Sequence, residues 1–95
     1  MILQIFSVLD RKAKNYNLPF YCPTIEVAQR AFAQSVNDPA SGMAYTHPED
    51  FTLYHIGTFD DETGYTTSFE PVPKGNGLGF RYTNNLGAQN ADASE

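Results

Sequence analysis

The chain opens with an almost uninterrupted apolar run. Over residues 2–9 only Gln4 and Ser7 break it, and Ile2, Ile5, Phe6 and Val8 favour extended backbone. This predicts a strand buried on at least one face. The stretch Asp10-Arg11-Lys12-Ala13-Lys14-Asn15 ends it, and Pro19 and Pro23 then flank the aromatic pair Phe20 and Tyr21. Prolines so placed exclude a helix interior and predict a long, ordered loop. From residue 24 the period lengthens: Ile25, Ala28, Phe32 and Val36 share one stripe of a helix, with Glu26, Arg30 and Gln34 facing away. Thr24 is the natural N-cap, Glu26 suits the positive end of the helix dipole, and Pro39 disfavours helical geometry at the residue before it. A helix over 24–36 follows.

The tetrapeptide His47-Pro48-Glu49-Asp50 reads as a tight turn feeding a second strand over 51–59. Simple alternation puts Leu53, His55, Gly57 and Phe59 on one face and Thr52, Tyr54, Ile56 and Thr58 on the other. Residues 60–64 form the hairpin loop, ending in a glycine able to take positive φ, before a third strand over 65–69. Beyond Glu70 the apolar period fades into Pro71-Val72-Pro73-Lys74-Gly75-Asn76-Gly77 and then Asn-, Ala- and Ser-rich sequence. Such a segment buries too little to offset ordering, so a flexible tail is expected over 71–95. Within it Leu78, Phe80 and Tyr82 alternate, as a short strand added to a partner's sheet edge would. The expected fold is α+β: a β-α-β-β domain over residues 1–70, with a three-stranded sheet, one helix on one face and a flexible C-terminal tail. The first strand is left to pair either parallel to the second or antiparallel to the third. One helix covers one side of such a sheet. The other side, carrying several aromatics, is expected to meet a second copy or a partner.

Composition narrows the function classes. Ninety-five residues make one domain, and the net charge of -5 excludes a protein that coats duplex DNA by bulk charge. One cysteine, Cys22, excludes an intramolecular disulfide and fits a reducing compartment. No basic region precedes the first apolar run, which is too short to span a bilayer, so neither a signal peptide nor a transmembrane helix is expected. The charge is unevenly spread. Residues 1–30 hold Arg11, Lys12, Lys14 and Arg30 against two acids, whereas residues 31–95 hold Lys74 and Arg81 against nine.

Single-stranded DNA is held by cations along its backbone and by aromatic faces on which bases stack. The first loop carries both ingredients: Arg11, Lys12 and Lys14 lie close in sequence to Tyr16, Phe20 and Tyr21. These six are the candidate nucleic-acid-binding residues. The competing reading leaves the lysines solvated and uses Phe20 to close the core. Other chemistry is poorly served. The acids at 49–50 and 60–62 stand at opposite ends of one strand, about 25 Å apart, too far to share a cation. His47 and His55 have no placement beside Cys22 or a carboxylate that a nucleophilic triad requires, and two His and one Cys fall short of a structural zinc site. The glycines of 75–79 mimic part of a dinucleotide fingerprint, without the strand and helix that give it meaning. No catalytic residues, metal or cofactor are expected.

Two segments in fixed order carry a more specific signal: Val36-Asn37-Asp38-Pro39, and then His47-Pro48-Glu49-Asp50-Phe51-Thr52-Leu53-Tyr54-His55-Ile56-Gly57-Thr58-Phe59-Asp60-Asp61-Glu62-Thr63-Gly64. With the opening strand, Asp10-Arg11-Lys12-Ala13, Leu18-Pro19-Phe20 and Ala31-Phe32, they resemble the small nonstructural protein of the gokushoviruses, single-stranded DNA phages of the microvirus family. The resemblance covers about residues 1–70. It implies a non-enzymatic protein of the infected bacterium's cytoplasm, a DNA-binding or DNA-synthesis accessory factor that helps turn replication toward packaged single strands. The alternative is a homodimeric interaction module that engages a phage replication or capsid protein without touching DNA.

Overall fold

The computed structural model describes residues 1–81. Five antiparallel strands form one sheet: β1 (Ile2–Asp10), β2 (Asn15–Tyr16), β3 (Phe20–Cys22), β4 (Phe51–Asp60) and β5 (Thr66–Asn76). Three helices accompany it: α1 (Ile25–Val36), α2 (Met43–Thr46) and α3 (Gly77–Phe80), with single 3-10 turns at Pro39–Ser41 and Pro48–Asp50. β1 lies at the centre. β2 and β3 pair successively along one of its edges, β4 lies along the other, and β5 follows β4.

The expected three-stranded sheet with one helix is therefore overturned, for two physical reasons. Residues 15–22, read as a loop because of their prolines, return along β1 as a split edge strand. Pro19 sits in the gap between β2 and β3 and Pro23 beyond β3, so neither removes a ladder hydrogen bond. This extra reversal brings the chain back to the start of β1 before α1 begins. α1 then carries it the length of the sheet, so β4 runs antiparallel to β1, neither of the two pairings left open from sequence. Likewise β5 passes through Pro71 and Pro73 to Asn76, because an outer strand tolerates missing N–H groups that a central one would not. The expected tail boundary at residue 71 thus falls inside a strand. Leu78 and Phe80, expected to extend a partner's sheet, belong to α3 instead, and Phe80 packs edge-on against Phe32 at 5.7 Å. The remainder of the expected tail, Tyr82 included, lies outside the described residues.

α1 forms as its pattern predicts. Thr24 is extended and its hydroxyl accepts from the Val27 amide at 3.2 Å, while Asn37 closes the other end with its amide bonded to the Ala33 carbonyl. Ala28, Phe32 and Val36 bury its apolar stripe against Phe6, Cys22, Phe51 and Leu53 of the sheet, with Val8, Phe20, Ile25 and Phe80 at the margin. Phe6, Val36 and Leu53 are wholly buried; emptying one such site by truncation to alanine costs about 2–5 kcal/mol.

Candidate nucleic-acid interface

Residues 2, 4, 6, 8 and 10 of β1 face α1, and residues 3, 5, 7 and 9 face away, onto a side where no described helix lies. Cross-strand register extends this open face to the neighbours. Leu9 opposes Tyr16, Ile5 opposes Tyr21, Ser7 opposes Tyr54, and Leu3 opposes Phe59. The rings meet in pairs, Tyr16 edge-on to Tyr54 at 5.6 Å and Tyr21 edge-on to Phe59 at 5.9 Å. Four aromatic side chains thus stand on one side of the sheet. Tyr16 and Tyr21 retain 44% and 52% of their surface, enough for a stacking partner to reach them.

Phe59 reaches this side through an irregularity that the expected alternation missed. The β1–β4 register slips by one residue at Ile56: Leu53 and His55 oppose Val8 and Phe6 on the helix side, whereas Gly57 and Phe59 oppose Ile5 and Leu3 on the open side. A β-bulge adds one residue to one strand and so exchanges the faces beyond it. Leu53, His55, Gly57 and Phe59 do not share a face.

The cations sit on the turn that follows β1. Residues 11–14 join β1 to β2 in a turn closed by the Lys14 amide on the Asp10 carbonyl at 2.8 Å, and the Asp10 side chain accepts from the Lys12 and Ala13 amides at 3.0 and 3.1 Å. Lys14 is the one non-glycine of the described residues with positive φ, at 62°. Lys12 and Lys14 are exposed, and neither forms an ion pair among the described residues. Arg11 is committed elsewhere: its guanidinium lies 2.6 Å from Asp50, whose side chain is only 7% exposed. Removing the guanidinium would leave that carboxylate buried without its partner, so Arg11 holds the fold as well as offering charge.

The six candidate residues are therefore only partly brought together. Tyr16 and Tyr21 stand on the open face, and Lys14 lies on the turn two residues before Tyr16; Lys12 lines a hollow with Arg11, Met43, His47, Glu49 and Asp50. Phe20, one residue from Tyr21 on the same strand, points the other way and stacks on Phe6 at 5.9 Å, at the margin of the core. Sequence reasoning missed Tyr54 and Phe59, which come from the far side of the chain. Their signal was the aromatic content of 51–59, obscured by the bulge.

The opposite end of the face is acidic. Asp60, Asp61 and Glu62 form the β4–β5 turn, with Gly64 at φ 79° as its residues predict. The Met1 ammonium lies 2.5 Å from Asp61 and 3.4 Å from Glu62, and its hydrogen bond to Asp61 raises its pKa above the ordinary value. Glu49 and Asp50 lie at the other end of β4, so the two acid groups do not converge. Burial raises the Cys22 thiol pKa and keeps it protonated in the core. His55 sits between Phe6 and Phe69, with ring centroids at 4.9 and 4.8 Å, and its Nε2 has no hydrogen-bond partner among the described residues. Desolvation, aided by the Lys74 charge, lowers its pKa and favours the neutral ring. Among the described residues no helix is long and apolar enough to cross a membrane.

Comparison with known proteins places this architecture. No solved structure was found to match the chain significantly. Over 73 residues it is 37% identical to Protein ORF5 of Chlamydia phage 1, an overlap spanning 74% of this chain and 73% of that protein. The resemblance to the gokushovirus protein is borne out. A family model described as Phage ORF5 protein matches residues 3–75, from β1 to the next-to-last residue of β5, and so takes in Pro71 and Pro73 as part of the shared unit. The chain belongs to the Phage ORF5 protein family.

Proposed function

We propose that this chain is a non-enzymatic phage accessory protein that binds single-stranded DNA in the cytoplasm of the infected bacterium and assists viral DNA synthesis or the switch to single-strand production. One observation carries the reading: Lys12 and Lys14, which form no ion pair among the described residues, stand on the turn that leads into Tyr16, at one end of a sheet face bearing Tyr16, Tyr21, Tyr54 and Phe59. Cations hold phosphates and ring faces accept unstacked bases, a pairing suited to single strands rather than duplexes. Arg11 contributes at the rim while bound to Asp50; Phe20 supports the surface from within.

The test is fluorescence anisotropy with an unstructured oligonucleotide at micromolar protein and low salt. Two phosphate contacts give a salt slope near -1.4, so raising salt from about 50 to about 200 mM weakens binding about sevenfold. The double variant Lys12→Ala/Lys14→Ala removes most of the affinity and flattens that slope. Absence of binding to the oligonucleotide at low salt refutes the proposal.

A second reading, a homodimeric module engaging a phage replication or capsid protein, draws on β5. This outer strand is exposed along residues 66–73, with Phe69 and Val72 about two-fifths exposed. It requires a dimeric mass in light scattering and function that survives loss of both lysines.

A further inference from the structure

The sequence treats the two edges of the sheet differently. Along β1 the outer pairing is broken into pieces of two and three residues, β2 and β3, with Leu18 and Pro19 out of the ladder between them. Short edge strands and prolines are devices that keep a sheet from pairing with another chain. β5 carries such devices only in its second half, where the register slips and Pro71 and Pro73 lack N–H groups. Its start has none. The run Tyr65-Thr66-Thr67-Ser68-Phe69 holds no charge, proline or glycine, and every one of its residues is exposed. Its pairing with β4 is unbroken from Thr66 to Ser68, and no described strand lies beyond it.

The preceding turn fixes which backbone groups face outward. The Gly64 amide bonds the Asp60 carbonyl at 2.7 Å, and the Asp60 amide bonds the Tyr65 carbonyl at 2.9 Å. Bonded and non-bonded pairs alternate along an antiparallel ladder, so Thr67 bonds Thr58, while the N–H and C=O groups of Thr66 and Ser68 point away from β4. Side chains alternate too. Thr66 and Ser68 oppose Phe59 and Gly57 on the open face, whereas Tyr65, Thr67 and Phe69 lie on the helix side, where Phe69 meets the His55 ring. Tyr65 and Phe69 keep 75% and 39% of their surface.

This pattern is complementary to itself. A two-fold axis through Thr67, normal to the sheet, sets Thr66 against Ser68 of a second copy, and Ser68 against Thr66, each pair exchanging both backbone hydrogen bonds. The same register places Tyr65 against Phe69 at either end and Thr67 against Thr67 between them, contacts of the kinds that stabilise antiparallel pairs. Charge agrees with it. Glu70 falls opposite Gly64 rather than an acid, and the end of β5 that carries Lys74 comes alongside the acidic turn at 60–62 of the second copy.

We infer that the start of β5 is the contact between two copies of this chain, paired antiparallel about Thr67 into one continuous sheet. The helices of both copies then lie on one side and the two aromatic faces on the other. The inference stands apart from single-strand binding and gives the second reading above its pairing edge.

An edge contact of this length is small, so chains exchange between single and paired forms. Sedimentation equilibrium of the full chain from about 10 to about 500 μM is expected to show a mass rising from one chain toward two. Thr67 is exposed, so Thr67→Lys and Thr67→Glu keep the fold. Each alone sets like charges face to face and is expected to weaken pairing by more than about tenfold, and an equal mixture of the two restores it. Amide exchange of the wild-type protein needs no variant. The Thr66 and Ser68 amides are expected to exchange more slowly as concentration rises, while the Thr67 amide, already bonded to β4, is indifferent to it. A single-chain mass throughout overturns the inference. So does a dimer that Thr67→Lys leaves intact, which assigns the contact to another surface, or a mixture of the variants that stays unpaired. Protection of Thr66 and Ser68 at every concentration assigns the edge to the same chain and overturns it as well.

Discussion

Lys14 pays for its position with an unfavourable backbone, since a left-handed φ costs a residue with a Cβ about 1–2 kcal/mol. Lys14→Gly removes that strain and the side-chain charge together, so stability and binding move in opposite directions. A urea midpoint higher by the equivalent of about 1 kcal/mol is expected, with weaker oligonucleotide binding. A parallel loss of both would mean that the lysine serves the turn alone. His55 makes a second residue-scale prediction. Its folded pKa lies below the ordinary imidazole value of about 6.5, so near and below that pH the unfolded chain takes up a proton that the folded one resists. Stability from this source is complete above 6.5 and declines on acidification until the folded value is passed. Urea midpoints at about pH 7.5 and 5.5 should separate less in His55→Leu than in the wild type. Part of the candidate site was legible at this scale. Lys12, Lys14 and Tyr16 are sequence neighbours and remain spatial ones. The opposite facing of Phe20 and Tyr21 follows from two-residue periodicity once 20–22 is known as a strand, but two nearby prolines concealed that strand.

At the scale of elements, signals that act within a few residues were readable. The Thr24 cap, the apolar stripe ending at Val36 and the glycine closing the turn at 64 all form as read. What depended on partners was not. β2 and β3 are five residues of strand in total, held by one neighbour, and nothing in Asn15, Tyr16 or Phe20–Cys22 alternates long enough to announce them. The end of β5 is similarly contextual. Asn76 donates through its side-chain amide to the carbonyls of Glu49 and Phe51, at 3.0 and 3.2 Å, and to the Thr52 hydroxyl at 3.0 Å, while its side-chain oxygen caps the Leu78 amide at 2.9 Å. Gly77 packs so tightly that a Cβ there would lie 2.3 Å from the Pro48 carbonyl oxygen. Beyond it Arg81 bonds the Tyr45 carbonyl and covers the Tyr45 ring at 3.9 Å. Asn76→Ala is therefore expected to cost about 2 kcal/mol by removing four hydrogen bonds, two of them partly buried. Hydrogen exchange should accelerate first in residues 77–81 and leave β1 and β4 protected; uniform acceleration would show that α3 and the sheet open as one unit.

For the molecule as a whole, the sheet separates two tasks. One side is closed by α1 and α3 over a core sealed enough to keep the Cys22 thiol from solvent. A thiol-alkylating reagent should modify the native protein far more slowly than the urea-unfolded chain, and equal rates would contradict that packing. The other side keeps its aromatics accessible between a basic and an acidic end, so a charged strand lying across it meets a defined polarity despite the overall charge of -5. The extra residue in β4 is why Leu53 is directed inward and Phe59 outward although they stand an even number of positions apart. Excising Ile56 would shorten β4 without turning it over. The strand would then alternate regularly, with His55 still inward opposite Phe6 and with Gly57 and Phe59 still outward opposite Ile5 and Leu3. What would be lost is the local bend and sharpened twist, so a family member lacking this one residue would keep both faces on a flatter sheet.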